Sequence, residues 1–474
     1  MKLHSSLLLL LSAVALGGCI DRGNWKPTPQ LQAKSLASAQ ALKEARVDPA
    51  AWPADGWWRS YGDPQLDALV DEALAGSPSL EIAQARLRAA QAQTVFAQGA
   101  RAPQVALNGE VTRQRYSEHG LYPAPLAGSY STDGRAAVDF SWDLDFWGRN
   151  RALIAAARAG EQAAAADREA ARLALAVAVV RAYVQLDLQY GLLDVTNDNL
   201  KQQSAILELT QQRVSAGLEN TARVKQSEGT VALTRAALSF VENGVQLARN
   251  QLADLVGAGP DRGQRIQRPQ LNAPLDLVLP STLPADLLGR RPDVAAARLQ
   301  VESASRGIKA AEADFYPNVN LTAFAGFQAI GLAQLFDASS RIVGVTPAVH
   351  LPVFNRDALR GELYGRQAQL DSTVGQYNQT LLDAVREVAD VVTNWRALER
   401  ETLEQQTALD AAQSSYDLTS QRYRAGLDNY LSVLSSQNQV LLTQTLRAEL
   451  QARRLSYSVD LVRALGGGYV APAG

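Results

Sequence analysis

The stretch Leu209-Thr210-Gln211-Gln212-Arg213-Val214-Ser215-Ala216-Gly217-Leu218-Glu219-Asn220 returns later in the chain as Leu418-Thr419-Ser420-Gln421-Arg422-Tyr423-Arg424-Ala425-Gly426-Leu427-Asp428-Asn429. The copies lie 209 residues apart (426 minus 217), and a long segment of helical periodicity precedes each of them. Two segments of alternating apolar and polar residues precede each helical segment in turn. Two strands and a long helical hairpin, present twice, predict an internally duplicated tube rather than a globular core. Transport is therefore the leading functional hypothesis.

The long helices are predicted from an apolar position that recurs every seven residues. The first copy carries Val179, Leu186, Leu193, Leu200, Leu207 and Val214 at this spacing. The second copy carries Val374, Leu381, Val388, Trp395, Leu409, Tyr416 and Tyr423, with a break at Thr402. A strict seven-residue period indicates a coiled-coil-like supercoil, and at about 1.5 Å per residue each long helix spans about 100 Å. We expect helical hairpins over 150–257 and 357–466, and a shorter helix over 292–313.

Four strands are predicted, near residues 102–116, 132–147, 315–327 and 341–354. In the second of them, from Val138 to Phe146, every even position is apolar and every odd position is polar. A strand with this period has one face in an apolar medium and the other in water. A water-soluble sandwich would share the pattern, but the chain offers no further strands to build one. A membrane barrel is therefore the favoured interpretation.

Four strands are too few to close a barrel, because even small bacterial barrels need about eight strands. Open sheet edges in lipid would leave backbone groups unpaired, so the strands of one chain require those of other copies. Three copies would supply twelve strands, which is wide enough for a lumen. After residue 19, no stretch approaches the roughly 20 apolar residues of a transmembrane helix. The predicted fold class is an α+β membrane protein in a closed, cyclic oligomer.

The N-terminus has the pattern of a secretory signal peptide over residues 1–18, with a basic start at Lys2 and an apolar run that follows it. Leu16-Gly17-Gly18-Cys19 fits the bacterial lipobox, in which the cysteine is lipidated. Cys19 is the only cysteine of the chain, and Ile20 after it favours sorting to the outer membrane. A free thiol in an ordinary signal peptide is the alternative. We expect residues 19–62 to form a lipid-anchored, extended segment.

Composition and motif content argue against an enzyme. The net charge of −2 disfavours a general nucleic-acid binder. The three histidines, His4, His119 and His350, do not cluster with cysteines or carboxylates at metal-ligand spacing. No nucleophile–base arrangement or phosphate-binding loop is evident. We therefore expect no cofactor and no metal, apart from the covalent lipid on Cys19.

Several short motifs together resemble one family. They are Trp58-Arg59-Ser60-Tyr61-Gly62-Asp63-Pro64-Gln65-Leu66, Ala83-Gln84-Ala85-Arg86-Leu87, Asp143-Leu144-Asp145-Phe146-Trp147-Gly148-Arg149, Arg291-Pro292-Asp293-Val294 and Phe315-Tyr316-Pro317. They are similar to motifs of the outer-membrane efflux proteins, the TolC-like exit ducts of tripartite pumps. The chain most resembles the lipoprotein branch that serves resistance-nodulation-division (RND) pumps.

The resemblance implies a homotrimer with a 12-stranded β-barrel in the bacterial outer membrane, a long periplasmic α-helical barrel and an equatorial belt. It implies a periplasmic adaptor and an inner-membrane pump as partners. Residues 63–270 and 271–468 are then the two structural repeats, and 469–474 is a C-terminal tail. The implied function is export of drugs or other small toxic compounds. A duct for type I protein secretion and a periplasmic coiled-coil scaffold are the alternatives.

The turns at 214–221 and 423–430 are the candidate functional site. In the family they lie at the periplasmic tip, where the channel narrows and the adaptor docks, and Gly217 and Gly426 permit the chain to reverse. The charged and aromatic candidates around them are Arg213, Glu219, Arg422, Tyr423, Arg424 and Asp428. Relatives often carry an aspartate one or two turns into the returning helix, where this chain has Ser432 and Ser435. Ordinary solvated charge is the alternative interpretation.

Three carboxylates occupy polar positions of the second predicted strand: Asp139, Asp143 and Asp145. If they face the lumen, three copies would form acidic rings that favour cations. Simple wetting of the lumen wall is the alternative interpretation.

Overall fold

The computed structural model describes residues 24–32, 36, 46–48, 52–272, 278–280, 287–352 and 354–471. The predicted signal peptide, its histidine and Cys19 lie outside the described residues, as do 472–474 of the predicted tail. The chain divides into two compact units. The first comprises Met1–Gln30, Leu87–Ala164 and Ala297–Tyr377, and the second comprises Leu31–Arg86, Ala165–Ala296 and Asn378–Gly474.

The helices follow the duplicated pattern of the sequence. The α-helices of the described residues are α1 (Pro64–Gly76), α2 (Pro78–Gly99), α3 (Arg149–Ser215), α4 (Thr221–Leu255), α5 (Pro260–Gly263), α6 (Leu287–Arg290), α7 (Pro292–Ala313), α8 (Arg356–Arg424) and α9 (Tyr430–Ala464). Short 3-10 turns occupy Trp57–Tyr61, Leu332–Gln334 and Ala338–Ser340. The long helices α3 and α8 have 67 and 69 residues, and α4 and α9 have 35 residues each. None of the described helices has the length and apolar content that a bilayer crossing requires.

The strands of the described residues form two sheets. A two-stranded parallel pair joins β1 (Arg46–Val47) to β4 (Val278–Leu279). The larger sheet lies in the first unit and contains β2 (Gln104–Arg115), β3 (Tyr130–Asp143), β5 (Asn318–Ile330) and β6 (Arg341–His350). Its order is β2-β3-β5-β6, and every neighbouring pair is antiparallel. Among the described residues, strands β2 and β6 are therefore the two edges of this sheet.

Three strands differ most from their predicted boundaries. Strand β3 ends at Asp143 rather than near 147, because Asp145 adopts a left-handed conformation with φ 44° and the chain turns there. Strand β5 runs to Ile330 and begins only at Asn318, because the amides of Phe315 and Tyr316 still donate to carbonyls at the end of α7. Strand β6 ends at His350, short of the predicted 354.

The motif that begins at Trp58 builds part of the core of the second unit. Trp58, Tyr61 and Leu66 are buried against α3 side chains such as Tyr183. Asp63 caps α1 by accepting from the backbone N–H of Gln65, at 2.9 Å, and it also accepts from the Tyr183 hydroxyl at 2.6 Å. Burial and then the hydrogen bond to Asp63 raise the pKa of Tyr183, so its hydroxyl remains a donor. The motif therefore has a structural role.

The motif that begins at Arg291 also has a structural role. The guanidinium of Arg291 is buried, and it pairs with Asp293 at 2.6 Å and with Glu387 of α8 at 2.8 Å. It also donates to the carbonyl of Ala464, at the last residue of α9, at 3.2 Å. A buried arginine requires such partners, because an unpaired charge in the interior is strongly destabilising. Arg291 thus fixes the end of α9 against α8.

Candidate functional site: the paired helical turns

The two helix–helix turns of the second unit share one backbone geometry. Gly217 and Gly426 have φ of 71° and 75°, in the left-handed region that favours glycine. After Gly217, the amide of Leu218 donates to the carbonyl of Arg213 at 2.9 Å. After Gly426, the amide of Leu427 donates to the carbonyl of Arg422 at 2.8 Å. Each long helix therefore ends in the same glycine C-cap, which satisfies a terminal carbonyl and reverses the chain.

The returning helices begin with the same cap as well. The side chain of Asn220 accepts from the amide of Arg223 at 3.2 Å, and that of Asn429 accepts from the amide of Ser432 at 3.1 Å. Asparagine is a strong N-cap because its side-chain oxygen satisfies an orphan N–H of the first turn. These two asparagines were not among the predicted site residues, although their matching places in the repeat are a signal that could have found them.

Aromatic side chains fill the space beneath the second turn. Tyr423 and Tyr430 are buried, with their ring centroids 6.4 Å apart in an edge-on arrangement. They pack with Ile206 of α3 and Val433 of α9. Neither tyrosine hydroxyl has a hydrogen-bond partner within the part of the chain that the structure describes. Tyr423 was predicted as a site residue, whereas Tyr430 was missed because the first copy has Thr221 at the matching position.

Arg213 joins the first turn to the second. Its Nη1 donates to the backbone carbonyl of Tyr423 at 3.2 Å, and its guanidinium carbon lies 4.9 Å from the centroid of the Tyr423 ring. The side chain of Arg213 is 17% exposed, whereas that of Arg422, its counterpart in the repeat, is 60% exposed. A cation over an aromatic ring gains most when it is shielded from water. The two copies therefore use the same residue type differently.

Each turn also carries one acidic residue. The Glu219 carboxylate lies 3.8 Å from Arg213 Nε and 3.8 Å from Arg223 Nε. The Asp428 carboxylate lies 3.2 Å from Arg422 Nε. The Ser432 hydroxyl, the Asn429 amide and Arg422 lower the pKa of Asp428, so this carboxyl stays ionised through neutral pH.

The structure thus brings most of the predicted turn residues into two clusters, and the members of each cluster interact with one another. Arg213, Glu219 and Tyr423 form one cluster, and Arg422, Asp428 and Ser432 form the other. Arg424 and Ser435 are exposed and belong to neither cluster. Arg223 was not predicted, although it contributes a cation beside Glu219.

The three predicted lumen carboxylates have local partners in the first unit. Asp139 accepts from Arg135 on its own strand and from Asn108 on β2. Asp143 accepts from the side chains of Asn150 and Asn318, each at 3.4 Å. No group of His, Cys, Asp and Glu side chains that could hold a metal ion occurs among the described residues.

Asp145 is not a strand residue, contrary to the prediction. It lies in the turn after β3, and its carboxylate accepts from the backbone amides of Asn150 and Arg151 at 2.9 and 3.0 Å. A carboxylate at this place caps the first turn of α3 and complements the positive end of the helix dipole. Capping of α3 therefore accounts for the aspartate at position 145, which the alternating pattern had assigned to the strand.

Comparisons with known proteins agree with this architecture. The model of the family described as "Outer membrane efflux protein" matches residues 69–258 and 283–467. The fusaric acid resistance protein FusA of Burkholderia cepacia is 38% identical over 364 residues, which cover 76% of this chain and 68% of FusA. The multidrug resistance outer membrane protein MdtP of Escherichia coli K12 is 31% identical over 472 residues, covering 98% and 96%. The solved structure of the outer membrane protein VceC of Vibrio cholerae matches with a TM-score of 0.83 at 36% identity, over 88% of this chain and 100% of VceC.

Proposed function

This chain belongs to the outer membrane efflux protein family, and we propose that three copies of it form the exit duct of a tripartite efflux system. The matches to the family model and to the relatives confirm the family and the efflux function predicted from the sequence. The family consists of channel proteins and not of enzymes. In the proposed homotrimer each copy contributes four strands to a 12-stranded barrel in the outer membrane. The long helices continue the duct into the periplasm, with an equatorial belt around them.

The observation that carries this proposal is the apolar face of the four-stranded sheet. Large apolar side chains on this face are exposed in the single chain: Val105, Leu107, Val111, Val138, Trp142, Val343, Val345 and Val349. The opposite face carries polar residues such as Asn108, Asp139 and Thr346. A water-soluble protein rarely exposes so large an apolar surface. Lipid on one face and a wet lumen on the other would suit both sets of side chains.

The two free edges of the sheet support the oligomer. Within the part of the chain that the structure describes, strands β2 and β6 each have a partner on one side only. In lipid, unpaired backbone groups cost several kcal/mol each, so β2 of one copy would pair with β6 of the next. The matched helix lengths of the two halves support the proposed internal duplication, with repeats over 63–270 and 271–468.

The proposed lipid anchor at Cys19 agrees with the course of the chain that follows it. Trp25 Nε1 and the amide of Thr28 both donate to the carboxylate of Asp371 at 2.8 Å. The amide of Leu31 donates to the side-chain oxygen of Asn378 at 2.8 Å. These contacts suit an extended segment that lies along α8. Lipidation of Cys19 and insertion of the barrel would together hold the protein in the outer membrane.

The names of the relatives point to the cargo. FusA is named for fusaric acid resistance and MdtP for multidrug resistance. We therefore assign export of drugs or other small toxic compounds to this chain. The motifs that resemble the branch serving RND pumps support a periplasmic adaptor and an inner-membrane RND pump as its partners. These names favour efflux over type I protein secretion. A periplasmic scaffold would leave the apolar face of the sheet without a role.

The paired turns are the proposed gate and adaptor-docking site. Arg213 holds the first turn to Tyr423 of the second turn through a hydrogen bond and a ring contact. Repetition around a trimer axis would place three such contacts, with their acidic neighbours Glu219 and Asp428, at the narrow end of the duct. An adaptor that offered alternative partners to these charges would release the turns from each other.

Single-channel conductance of the purified protein in a planar bilayer tests the proposal. We expect the wild type to form a pore of small conductance. Replacement of both turn carboxylates, in Glu219→Ala combined with Asp428→Ala, should raise the conductance, because it removes the acidic partners of Arg213, which joins the two turns, and of Arg422.

The matched control replaces carboxylates on the same hairpins away from the turns, in Glu228→Ala combined with Asp417→Ala. Glu228 pairs with Lys225, and Asp417 accepts from Gln413, so both contacts stay within one helix. We expect the control to conduct as the wild type does. Equal conductance in all three proteins would move the gate elsewhere, and the absence of any pore would overturn the channel assembly.

A further inference from the structure

A basic groove lies in the first unit, where α2 ends and α3 begins. Its volume is about 490 Å³, and its polar lining residues are Gln98, Arg101, Arg151, Arg158, Gln162 and Glu302. Three arginines thus face a single carboxylate. Glu302 is already paired with Arg306 of the same helix at 3.1 Å, so it does not neutralise the groove.

Two of the three arginines are available to a ligand. Arg151 is committed to the turn after β3, because it pairs with Asp145 at 3.4 Å and donates to the carbonyl of Phe146. Arg101 and Arg158 are exposed. Neither guanidinium has a hydrogen bond or ion pair within the described ranges of the chain. Guanidinium groups bind phosphate oxygens through paired hydrogen bonds, and two glutamine side chains add neutral donors beside them.

The groove adjoins the end of the apolar sheet face. The indole Nε1 of Trp142 donates to the backbone carbonyl of Arg101 at 3.2 Å. Trp142 lies on the apolar face, where it pairs in register with Leu321. Tryptophan favours the membrane–water interface, because its ring is apolar and its N–H is polar. If the apolar face contacts lipid, as proposed above, Arg101 and its neighbours lie at the depth of the lipid headgroups.

We propose that this groove binds the phosphate-bearing headgroup of an anionic membrane lipid, with Arg101 and Arg158 as the phosphate ligands. The assignment rests on the proposed membrane barrel, since only that arrangement brings lipid to the groove. The site is separate from the paired turns and has a different role. It would fix the depth of the barrel in the membrane, because basic residues near an anionic leaflet are attracted to its surface.

Lipid binding by the purified protein in a neutral detergent tests this inference. Native mass spectrometry counts the bound copies of dioleoyl-phosphatidylglycerol and, separately, of dioleoyl-phosphatidylcholine, which carries a phosphate but no net charge. We expect a preference for the anionic lipid of about fivefold for each arginine. Arg101→Gln combined with Arg158→Gln should abolish the preference. The control, Arg235→Gln combined with Arg366→Gln, removes the same charge from exposed positions outside the groove and should retain the preference.

The outcomes separate this inference from the proposed function. A wild type that conducts in a bilayer but shows no lipid preference overturns the lipid site and leaves the channel in place. A preference lost equally in the control pair also overturns it, because general charge would then explain the binding. Inorganic phosphate that displaces the lipid at equal concentration identifies a free-phosphate site instead. A wild type that forms no pore contradicts the proposed function, whatever lipid it binds.

Discussion

At the scale of single residues, Arg213 distinguishes the two helical turns. It donates to the backbone of Tyr423 and lies over its ring. Arg422, by contrast, donates to the carbonyl of Leu427 in its own turn. Because a shielded cation–ring contact and a hydrogen bond are both lost, we expect Arg213→Ala to loosen the turn at 423–430 by about 1–2 kcal/mol. Arg422→Ala should cost less than about 0.5 kcal/mol, since exposed ion pairs contribute little.

Hydrogen–deuterium exchange of the amides from Tyr423 to Tyr430 measures this difference directly. A loss of 1–2 kcal/mol corresponds to an exchange that is faster by a factor of about 5 to 30. The Arg422→Ala protein is the matched control, because it removes the same side chain from the same place in the other copy. Equal protection in the two variants would show that the contact of Arg213 with Tyr423 does not hold the turn.

The sequence could predict the turn glycines but not the orientation of Arg213. Gly217 and Gly426 stand in matching copies, and a helical reversal requires a residue that tolerates positive φ. The orientation of Arg213 depends on a partner that only one copy supplies. The second copy has Tyr423 where the first has Val214, so Arg213 has a ring to lie over, whereas no matching ring follows from the sequence for Arg422.

At the scale of elements, the pattern of a strand could be predicted better than its ends. The period of two assigns each side chain to a face, because successive residues of a strand point in opposite directions. Alternation alone could not end β3 at Asp143, since Leu144, Asp145 and Phe146 continue it. The competing interaction is a capping one, in which Asp145 turns to bind the first amides of α3. The alternating pattern cannot predict that interaction, because the interaction depends on where α3 begins.

The edge strand β6 offers a test of the two faces of the sheet. Val345 and Thr346 are neighbours, yet Val345 pairs with Ala323 on the apolar face and Thr346 pairs with Thr322 on the polar face. A lysine that faces lipid near the bilayer midplane costs about 2–4 kcal/mol. We therefore expect Val345→Lys to reduce the amount of protein in the outer membrane strongly, whereas Thr346→Lys should leave it near the wild-type amount.

Quantitative immunoblotting of isolated outer membranes, compared with total cell protein, gives the inserted fraction of each variant. The two substitutions introduce the same side chain one residue apart in the same strand, so both add the same charge and the same intrinsic strand preference. If both lysines are tolerated equally, the face of Val345 does not meet lipid. If both abolish insertion, the strand itself rejects lysine and the faces are not distinguished by the membrane.

At the scale of the whole molecule, the four-stranded sheet of one chain has two open edges within the described residues. There, strands β3 and β5 have partners on both sides, whereas β2 and β6 each have one partner. The duplicated helices could be predicted from the sequence because an apolar period of seven residues, sustained over so many turns, is typical of long supercoiled helices. The number of subunits could not be derived from the strands of one chain, because several subunit numbers would close a barrel of adequate size.

Disulfide trapping between edge strands determines how the copies pair. Cysteine introduced in β2 at Val105, Leu107 or Val111 is combined in turn with Val345→Cys in β6, since these side chains share the apolar face. We expect at least one pair to give, after oxidation, a ladder on denaturing gels that ends at three subunits.

The control for this experiment combines Val138→Cys with Val345→Cys. Val138 lies on β3, an interior strand that β5 separates from β6. The distance between β3 and β6 is about 9 to 10 Å, and this distance exceeds the reach of a disulfide. Single-cysteine variants account for Cys19. Monomers from every edge pair, or ladders that continue past three, would contradict a closed trimeric barrel.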